Sequence, residues 1–546
     1  GFYEQALLTS PKLELASTAN AFSGGYTAPS PGGDYIASPA VLPTGRNLYS
    51  IDPERTPTTK AWENGKVLGD ALIADYRKRH NDSLPRKVSF TLWSSSFIES
   101  EGSTVAEILY MLGVEPVRDR MGRVQDVRLI PMEELGRPRI DVVVQTSGQL
   151  RDIAASRLFL IQKAVELVAS NKEEDEASNF VLTGIKEAEA LLLEKGVPPA
   201  MARNLATARV FGGLNGAYGT GIQPMVEAGD RWEERSQIAD VYLNNMGAIY
   251  GAHEQWGDFT KGLFEAALKR TDVVVQPRQS NSWGALSLDH VYEFMGGLSL
   301  AVERVTGKDP EAYFTDLRNR YRVRTQELKQ AIGVEARTTL LNPKYVGEFI
   351  KEGAGAADGI SETLLNTYAW NVMKPSVIDN ELWDALYDMY VLDNQHLGTV
   401  EFFERVNPAA LQGYTAAMME TIRKGFWKAT PEQRARIAEL HAQSVAKSGA
   451  GCSGMVCDNK PLREFIGQQL SNNDLSAQYE KAVEDVRTAK EVVDNPNAKV
   501  LKKEELSLQR NSNKVSTDNI VWIAVGVAAL LVIAFVLIRR RNRHAA

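Results

Sequence analysis

The chain has 546 residues, with 62 Lys and Arg, 69 Asp and Glu, six His and two Cys. A composition of 44% hydrophobic and 24% charged residues is that of a globular protein. It excludes disorder over the whole chain, collagen-like repeats and a disulfide scaffold. Four of the 62 bases lie after residue 538, so residues 1–538 carry 58 bases against 69 acids, a net −11. An acidic body without a basic stripe is no nucleic-acid binder. Two Cys cannot build a zinc ribbon or an iron–sulfur cluster alone. The length suggests about three domains of ~150 residues.

Gly1 stands where a complete chain would carry Met, so the expectation is a fragment or a processed product. Residues 1–60 hold SGGYTAPSPGGDY and LPTGRNLYSIDPERTPTT, which predict turns and extended segments rather than helices. A helix is expected over 61–80, where Trp62, Val67, Leu68, Leu72 and Tyr76 fall near helical spacing. KVSFTLW then predicts a strand and Thr104–Leu112 a helix. VRLIP and RIDVVVQTSG predict further strands, followed by a helix from about Asp152 to Ala169. Short β-branched runs alternating with helices indicate an α/β layer with a parallel sheet. Loops at the carboxyl ends of such strands are where ligands bind; SSSFIESEG and QTSGQLRD occupy those positions. Residues 175–270 read as mainly helical, broken by FGGLNGAYGTGI, with a strand DVVVQPR at 272–278. Helical patterns dominate 290–470. Residues 471–518 are charged, poor in apolar residues and interrupted by DNPNAK, as in a stalk that is part helical and part flexible.

Residues 520–537, IVWIAVGVAALLVIAFVL, carry no charge and Ile538 continues them. At ~1.5 Å per residue the stretch spans about 28 Å, enough to cross the hydrocarbon layer. Arg539, Arg540, Arg541 and Arg543 follow it directly. The positive-inside rule then places the short tail in the cytoplasm and the bulk of the chain outside it. Cys452 and Cys457, in GAGCSGMVCDN, are spaced for a local disulfide, with two free thiols as the alternative.

LPTGRNLYSIDPERTPTTKAW and FTLWSSSFIESEGSTVAEILYMLGVEPVRDRMGRV resemble the large subunit of the CobN and magnesium-chelatase H family, the tetrapyrrole metal chelatases. The resemblance continues through ARVFGGLNGAYGTGIQPMVE, YLNNMGAIYGAHEQWGD, LDHVYEFMGGL and LLNPKYVGEFIKEGAGAADGISETL, and covers roughly residues 20–430. It implies the C-terminal part of a longer subunit. A His-Gly…Glu…Pro-Gly-Lys segment that the family carries upstream is not in this sequence. Two departures stand out. The apolar span is unlike soluble cobalt and magnesium chelatases. The stretch QPRQSNSWGALSLDH is nearly neutral where the family is usually acidic. Fewer carboxylates there favour less the delivery of a hydrated divalent cation, and the anchored topology looks like that of the HmuS-type subgroup that removes iron from haem.

A chelatase must bind a flat apolar ring with acidic edges and move protons on and off its pyrrole nitrogens. His253 and Glu254, in YGAHEQWGD, are the first candidates for proton transfer and for iron, with Tyr250 and Trp256 as stacking partners. The alternative is a solvated surface turn. Asp289 and His290 form a second candidate metal pair, or a helix N-terminus. Glu99 and Glu101 lie in the loop after the first strand, as metal-facing or merely solvated carboxylates. Tyr218, Gly219, Thr220 and Gly221 form a Gly-rich turn whose amides suit a propionate or the ring edge. Arg46 is a candidate propionate partner or a structural salt bridge. His80 and His441 read as surface residues. No Walker motif is present, so no ATP site is expected in this chain.

The expected fold class is α/β: a parallel-sheet α/β layer, then a mainly helical region, then a C-terminal transmembrane helix. The expected division is 1–85 packing on the body, an α/β domain 86–175, a helical region 176–470, a stalk 471–518, a membrane span 519–538 and a basic tail 539–546. Implied by the resemblance is a protein of the inner membrane, facing the periplasm, that removes iron from haem or another metallo-tetrapyrrole beside haem-uptake transport proteins. One alternative is cobalt insertion into a corrin ring with separate AAA+ ATPase subunits. The other is a non-enzymatic haem or corrinoid carrier.

Overall fold

The computed structural model describes residues 1–488 except 31, 33, 37, 38, 49, 50, 320, 452 and 453. The apolar stretch 520–537, the basic tail and Cys452 therefore lie outside the described residues. Among those described, no helix is long and apolar enough to cross a membrane.

Seven strands form one sheet: β1 (Lys87–Leu92), β2 (Asp141–Thr146), β3 (Val210–Gly212), β4 (Ala248–Ile249), β5 (Val273–Arg278), β6 (Glu311–Asp316) and β7 (Arg324–Glu327). Their spatial order is β7-β6-β5-β1-β2-β3-β4. The inner five are parallel, and β4 and β7 close the edges antiparallel. β1, β2 and β5 are buried along their whole length, as their uninterrupted Val-rich runs require. Alternate residues feed two cores. Phe90, Val142, Val144 and Val275 pack with Leu72 and Val105 of the helices Thr59–Arg79 and Ser103–Met111. Val143, Val274 and Phe314 pack with Tyr242 of helix Arg235–Asn245 and with the helical C-terminal half. That half is built on Ala354–Met373, Pro408–Arg423 and Pro431–Ser448 around the buried Trp370, Trp383 and Trp427.

Four expectations are corrected. First, Phe2–Phe22 is a helix of 21 residues. Its Ala, Leu and Glu content favours helix; the turn signal of residues 23–57 does not extend back into it. Second, residues 86–175 are not a separate domain. β3 to β7 come from beyond 175 and complete the same sheet, and residues 1–488 form one compact unit. Short edge strands of two to four residues give little sequence signal. Third, Val124–Leu129 pairs with Val114–Arg118 as an antiparallel hairpin outside the main sheet. Fourth, the stalk does not begin at 471, because helix Asn473–Arg487 packs on Pro431–Ser448 through the buried Tyr479 and Val483. His441, expected at the surface, is fully buried under Tyr479, and burial pushes its imidazole down to about 4.

Candidate functional site

The chain enters the sheet at β1, moves outward through β2 to β3, and returns to the other side for β5 and β6. The reversal leaves a crevice at the carboxyl ends of β1 and β5. A cavity of about 310 Å³ opens there. It is lined by the loops after β1, β2, β3 and β5, with Trp93, Ser147, Tyr218, Gln276 and His290 among its walls.

Local sequence explains the walls. Ser94, Ser95 and Ser96 open the helix Ser94–Glu99, and their hydroxyls engage two glutamine amides. Ser94 donates to Gln149 at 2.8 Å, Gln279 donates to Ser95 at 2.8 Å, and Ser96 donates to Gln279. After β2, Ser147 caps the helix Gly148–Ile153. Gly148 must lack a side chain, because a Cβ there would stand 2.8 Å from both the Ala217 carbonyl and the Tyr218 ring. The Gly-rich loop thus lies directly on this helix. Tyr218 donates to Asp152 at 2.9 Å, and the Arg151 guanidinium lies under its ring.

The remaining wall comes from a π-helical turn, Tyr292–Gly296, between the helices Asp289–Val291 and Gly297–Thr306. Such turns re-aim side chains within a helix. Glu293 is buried and accepts from the Thr220 backbone N–H at 2.7 Å and the Thr220 hydroxyl at 2.8 Å. His290 Nδ1 stands 3.0 Å from the other Glu293 oxygen, and the His290 ring stacks on Trp93 at 5.9 Å between centroids. The side chain of His290 is 49% exposed. Burial pushes the Glu293 carboxyl up, but the His290 and Thr220 hydrogen bonds outweigh it and hold the group below its ordinary value. The hydrogen bond to Glu293 raises His290 above its ordinary value, against burial, and Asp289 adds to the rise. The charged form is thus held more readily than in a free imidazole, and with Nδ1 on Glu293, Nε2 is the ring nitrogen that Glu293 does not engage.

Beneath this pair lies a polar row in an otherwise apolar core. Thr91 pairs in register with Gln145, and continuing the β1–β5 register sets Gln276 level with Thr91. All three are buried, and among the described residues Thr91 Oγ1, Gln145 Nε2, Gln276 Oε1 and Trp93 Nε1 have no hydrogen-bond partner. A buried unpaired amide oxygen costs about 1–3 kcal/mol. Gln276→Met keeps the side-chain volume and removes that oxygen. It is expected to raise stability by about 1 kcal/mol, read as the urea midpoint, while weakening whatever the cavity binds. A loss of stability instead would mean that the amide is satisfied by an occupant.

The sequence candidates separate in space. Tyr218 and Gly219 line the cavity, and Thr220 holds Glu293. Gly221, at φ +78°, shapes the turn, and the Thr220 carbonyl accepts from Asn245. Asp289 accepts from Gln223 at 2.9 Å and stands 3.6 Å from His290 Nδ1. Glu99 ends the helix Ser94–Glu99; burial, and then Asp34, raise it to about 7. Glu101, at φ +53°, accepts from the Thr58 hydroxyl and braces the entry of helix Thr59–Arg79. His253 and Glu254 are exposed in a short 3₁₀ turn, where His253 packs on Phe159 outside the cavity. Trp256 packs on Tyr250, whose hydroxyl is taken by the Gly213 carbonyl. Arg46 donates to the Pro43 and Val41 carbonyls and lies elsewhere. Cys457 is buried in the short helix Gly454–Cys457. His253, His290, Asp289, Glu99 and Glu101 are thus not one ligand set; among the described residues no three His, Cys, Asp or Glu side chains are placed to hold a metal ion.

Trp93, Glu293 and the Gln row escaped sequence reasoning. One signal was present. DVVVQ occurs twice, at 141–145 and 272–276, and sets equivalent glutamines on the two strands flanking β1.

Fold and crevice together define a doubly wound α/β protein whose cavity lies at the topological switch point. The CobN/Magnesium Chelatase family model matches residues 2–434, and the chain belongs to that family. It is 33% identical over 430 residues to an uncharacterized protein of Methanocaldococcus jannaschii, covering 79% of this chain and 34% of that one. It is 31% identical over 437 residues to the aerobic cobaltochelatase subunit CobN of Sinorhizobium sp., covering 80% and 33%. Among solved structures, the catalytic subunit of cobaltochelatase from Mycobacterium tuberculosis matches with a TM-score of 0.73 and 29% identity, over 79% of this chain and 36% of that one. The chain spans about a third of the length of these relatives.

Proposed function

We propose that this chain supplies the ring-facing site of a tetrapyrrole metal chelatase and that its reaction is removal of iron from haem. The observation that carries the reading is the His290–Glu293 pair, held against Trp93 in the switch-point cavity. A cavity near the small end of the ligand-site range, ~300–1,000 Å³, admits one edge or face of a macrocycle rather than enclosing it. Trp93 offers that face an aromatic surface. Release of one iron(II) from ferrous haem needs two protons, one for each pyrrole nitrogen left anionic, and gives the free porphyrin. His290 as imidazolium donates one proton at Nε2 and, after taking up a proton from water, donates the second, while Glu293 stabilises the charged ring and orients it.

The direction of the reaction rests on the sequence. The apolar span 520–537 with four Arg after it favours a protein anchored in the inner membrane, its body outside the cytoplasm, where no ATP drives a partner ATPase. A second reading, cobalt insertion into a corrin ring with ATPase subunits, is favoured by the likeness to the Mycobacterium tuberculosis cobaltochelatase subunit.

Anaerobic incubation of the full chain in detergent with ferrous haem, without ATP, tests the first reading. Catalytic appearance of porphyrin fluorescence and chelatable iron(II) is expected, with turnover reduced about 100-fold in His290→Ala and haem binding retained. Binding without release would sink demetallation and leave a carrier or the cobalt reaction. Full activity of His290→Ala would remove His290 from the site.

A further inference from the structure

The hairpin joining β6 to β7 carries a cationic groove that the proton-transfer site does not use. Arg318 and Arg324 both donate to the buried Asp316 carboxylate at 2.8 Å. Burial pushes Asp316 up, but these guanidinium contacts outweigh it and bring it down to about 2. Among the residues that line the groove, Asp316 is the carboxylate beside three arginines; the Asp34 carboxylate accepts from the Asn281 backbone N–H at its wall, and Arg322 is exposed and forms no ion pair among the described residues. In a chain with a net charge of −7, a local cationic excess is a distinct feature. The three arginines, Asn281 and the 79%-exposed Tyr321 line a groove of about 860 Å³.

Its position matters more than its size. Asn281 belongs to the loop after β5, and Gln279 and Trp283 of the same loop line the cavity. The Trp283 carbonyl accepts from Arg278, the last residue of β5, so one short loop forms a wall of both openings. The groove lies over β6 and β7 and the cavity over β1 and β5. The two openings are thus about two strand spacings, roughly 10 Å, apart along the sheet. Guanidinium groups suit the carboxylates at the edge of a tetrapyrrole, since their planar fork pairs with carboxylates in bidentate fashion.

We propose that Arg318, Arg322 and Arg324 form the subsite for the carboxylate side chains of the tetrapyrrole whose ring enters the switch-point cavity. The inference rests on the chelatase reading above. It assigns to the β6–β7 hairpin the role that Arg46 does not fill.

Equilibrium titration of the full chain with haem, and with haem whose two propionates are esterified, tests it. Wild type is expected to bind haem about tenfold more tightly than the ester. Arg322→Ala is expected to lose that tenfold for haem and to leave ester binding unchanged. Arg322 is exposed and forms no ion pair among the described residues, so its replacement is expected to leave the fold intact, and Arg322→Lys is expected to recover part of the preference. Equal binding of haem and ester by wild type, or equal affinities in wild type and Arg322→Ala, would overturn the subsite while leaving the chelatase reading standing. Failure of wild type to bind either compound would overturn the chelatase reading and the subsite with it.

Discussion

Glu293→Gln is expected to lower turnover by about 100-fold, with haem affinity changed less than about threefold. The amide keeps the volume of the carboxylate and can still accept from Thr220. It presents an N–H₂ where His290 Nδ1 now finds an oxygen. Facing a donor, the imidazole is favoured as a neutral acceptor at Nδ1, so it holds its proton only at lower pH and the proton store is weakened. The pH profile carries the decisive sign. His290 has a raised value in the folded protein, so its acid form, and with it activity, is lost as pH rises through that value. In Glu293→Gln this alkaline limb is expected to move down, toward the ordinary histidine value of about 6.5. Stability follows the same groups. The contribution of His290 is fully present below its unfolded value and fades as pH rises through the folded one. Glu293 is held low, so its contribution is present above its unfolded value, about 4.3, and fades as pH falls through the folded one. Wild type is therefore most stabilised by the pair between these limits, and the variant lacks that maximum. An alkaline limb that stays in place would sink the assignment.

Asp141→Ala is expected to cost about 3–5 kcal/mol, read as the shift in the urea unfolding midpoint. Asp141 opens β2 with its side chain in the core, where Arg209 Nε reaches it at 2.9 Å and Lys87 Nζ at 3.1 Å. All three side chains are at most 1% exposed. The cations are otherwise satisfied by carbonyls, Lys87 by that of Ala267 and Arg209 by those of Ala206 and Ala208. Burial already pulls Lys87 down to about 8. Removing the carboxylate strands two buried cations, which is the costly way to break a buried ion pair. Asp141→Asn is expected to lose nearly as much, since the charge rather than the shape is what the cations need. A loss below about 1 kcal/mol would show that the cluster relaxes or admits water.

Much of this architecture was legible. KVSFTL, DVVVQT and VVVQPR were found as strands because a parallel strand buried on both faces is a continuous apolar run. Two loops expected at the carboxyl ends of strands, SSSFIESEG and QTSGQLRD, line the cavity through Ser95 and Ser96 and through Ser147, Gly148 and Gln149. The helix Phe2–Phe22 was missed because the neighbouring Gly and Pro coloured the whole segment. The choice between His253 and His290 was not legible. Each sits beside a carboxylate and near glycines. What separates them is a π turn that aims Glu293 inward, and π turns have no local sequence signature.

The sequence by itself determined the family, the three long buried strands KVSFTL, DVVVQT and VVVQPR, and the uncharged stretch 520–537. The family rests on the resemblance of several long motifs, and the strands and the uncharged stretch on apolar runs formed by neighbouring residues. Only the tertiary structure decided which side chains share the cavity. Glu293 meets Thr220 across 73 residues, and Ser96 meets Gln279 across 183. Such meetings depend on two crossovers returning to opposite sides of β1. They also depend on a buried carboxylate that must find donors wherever the packed core supplies them.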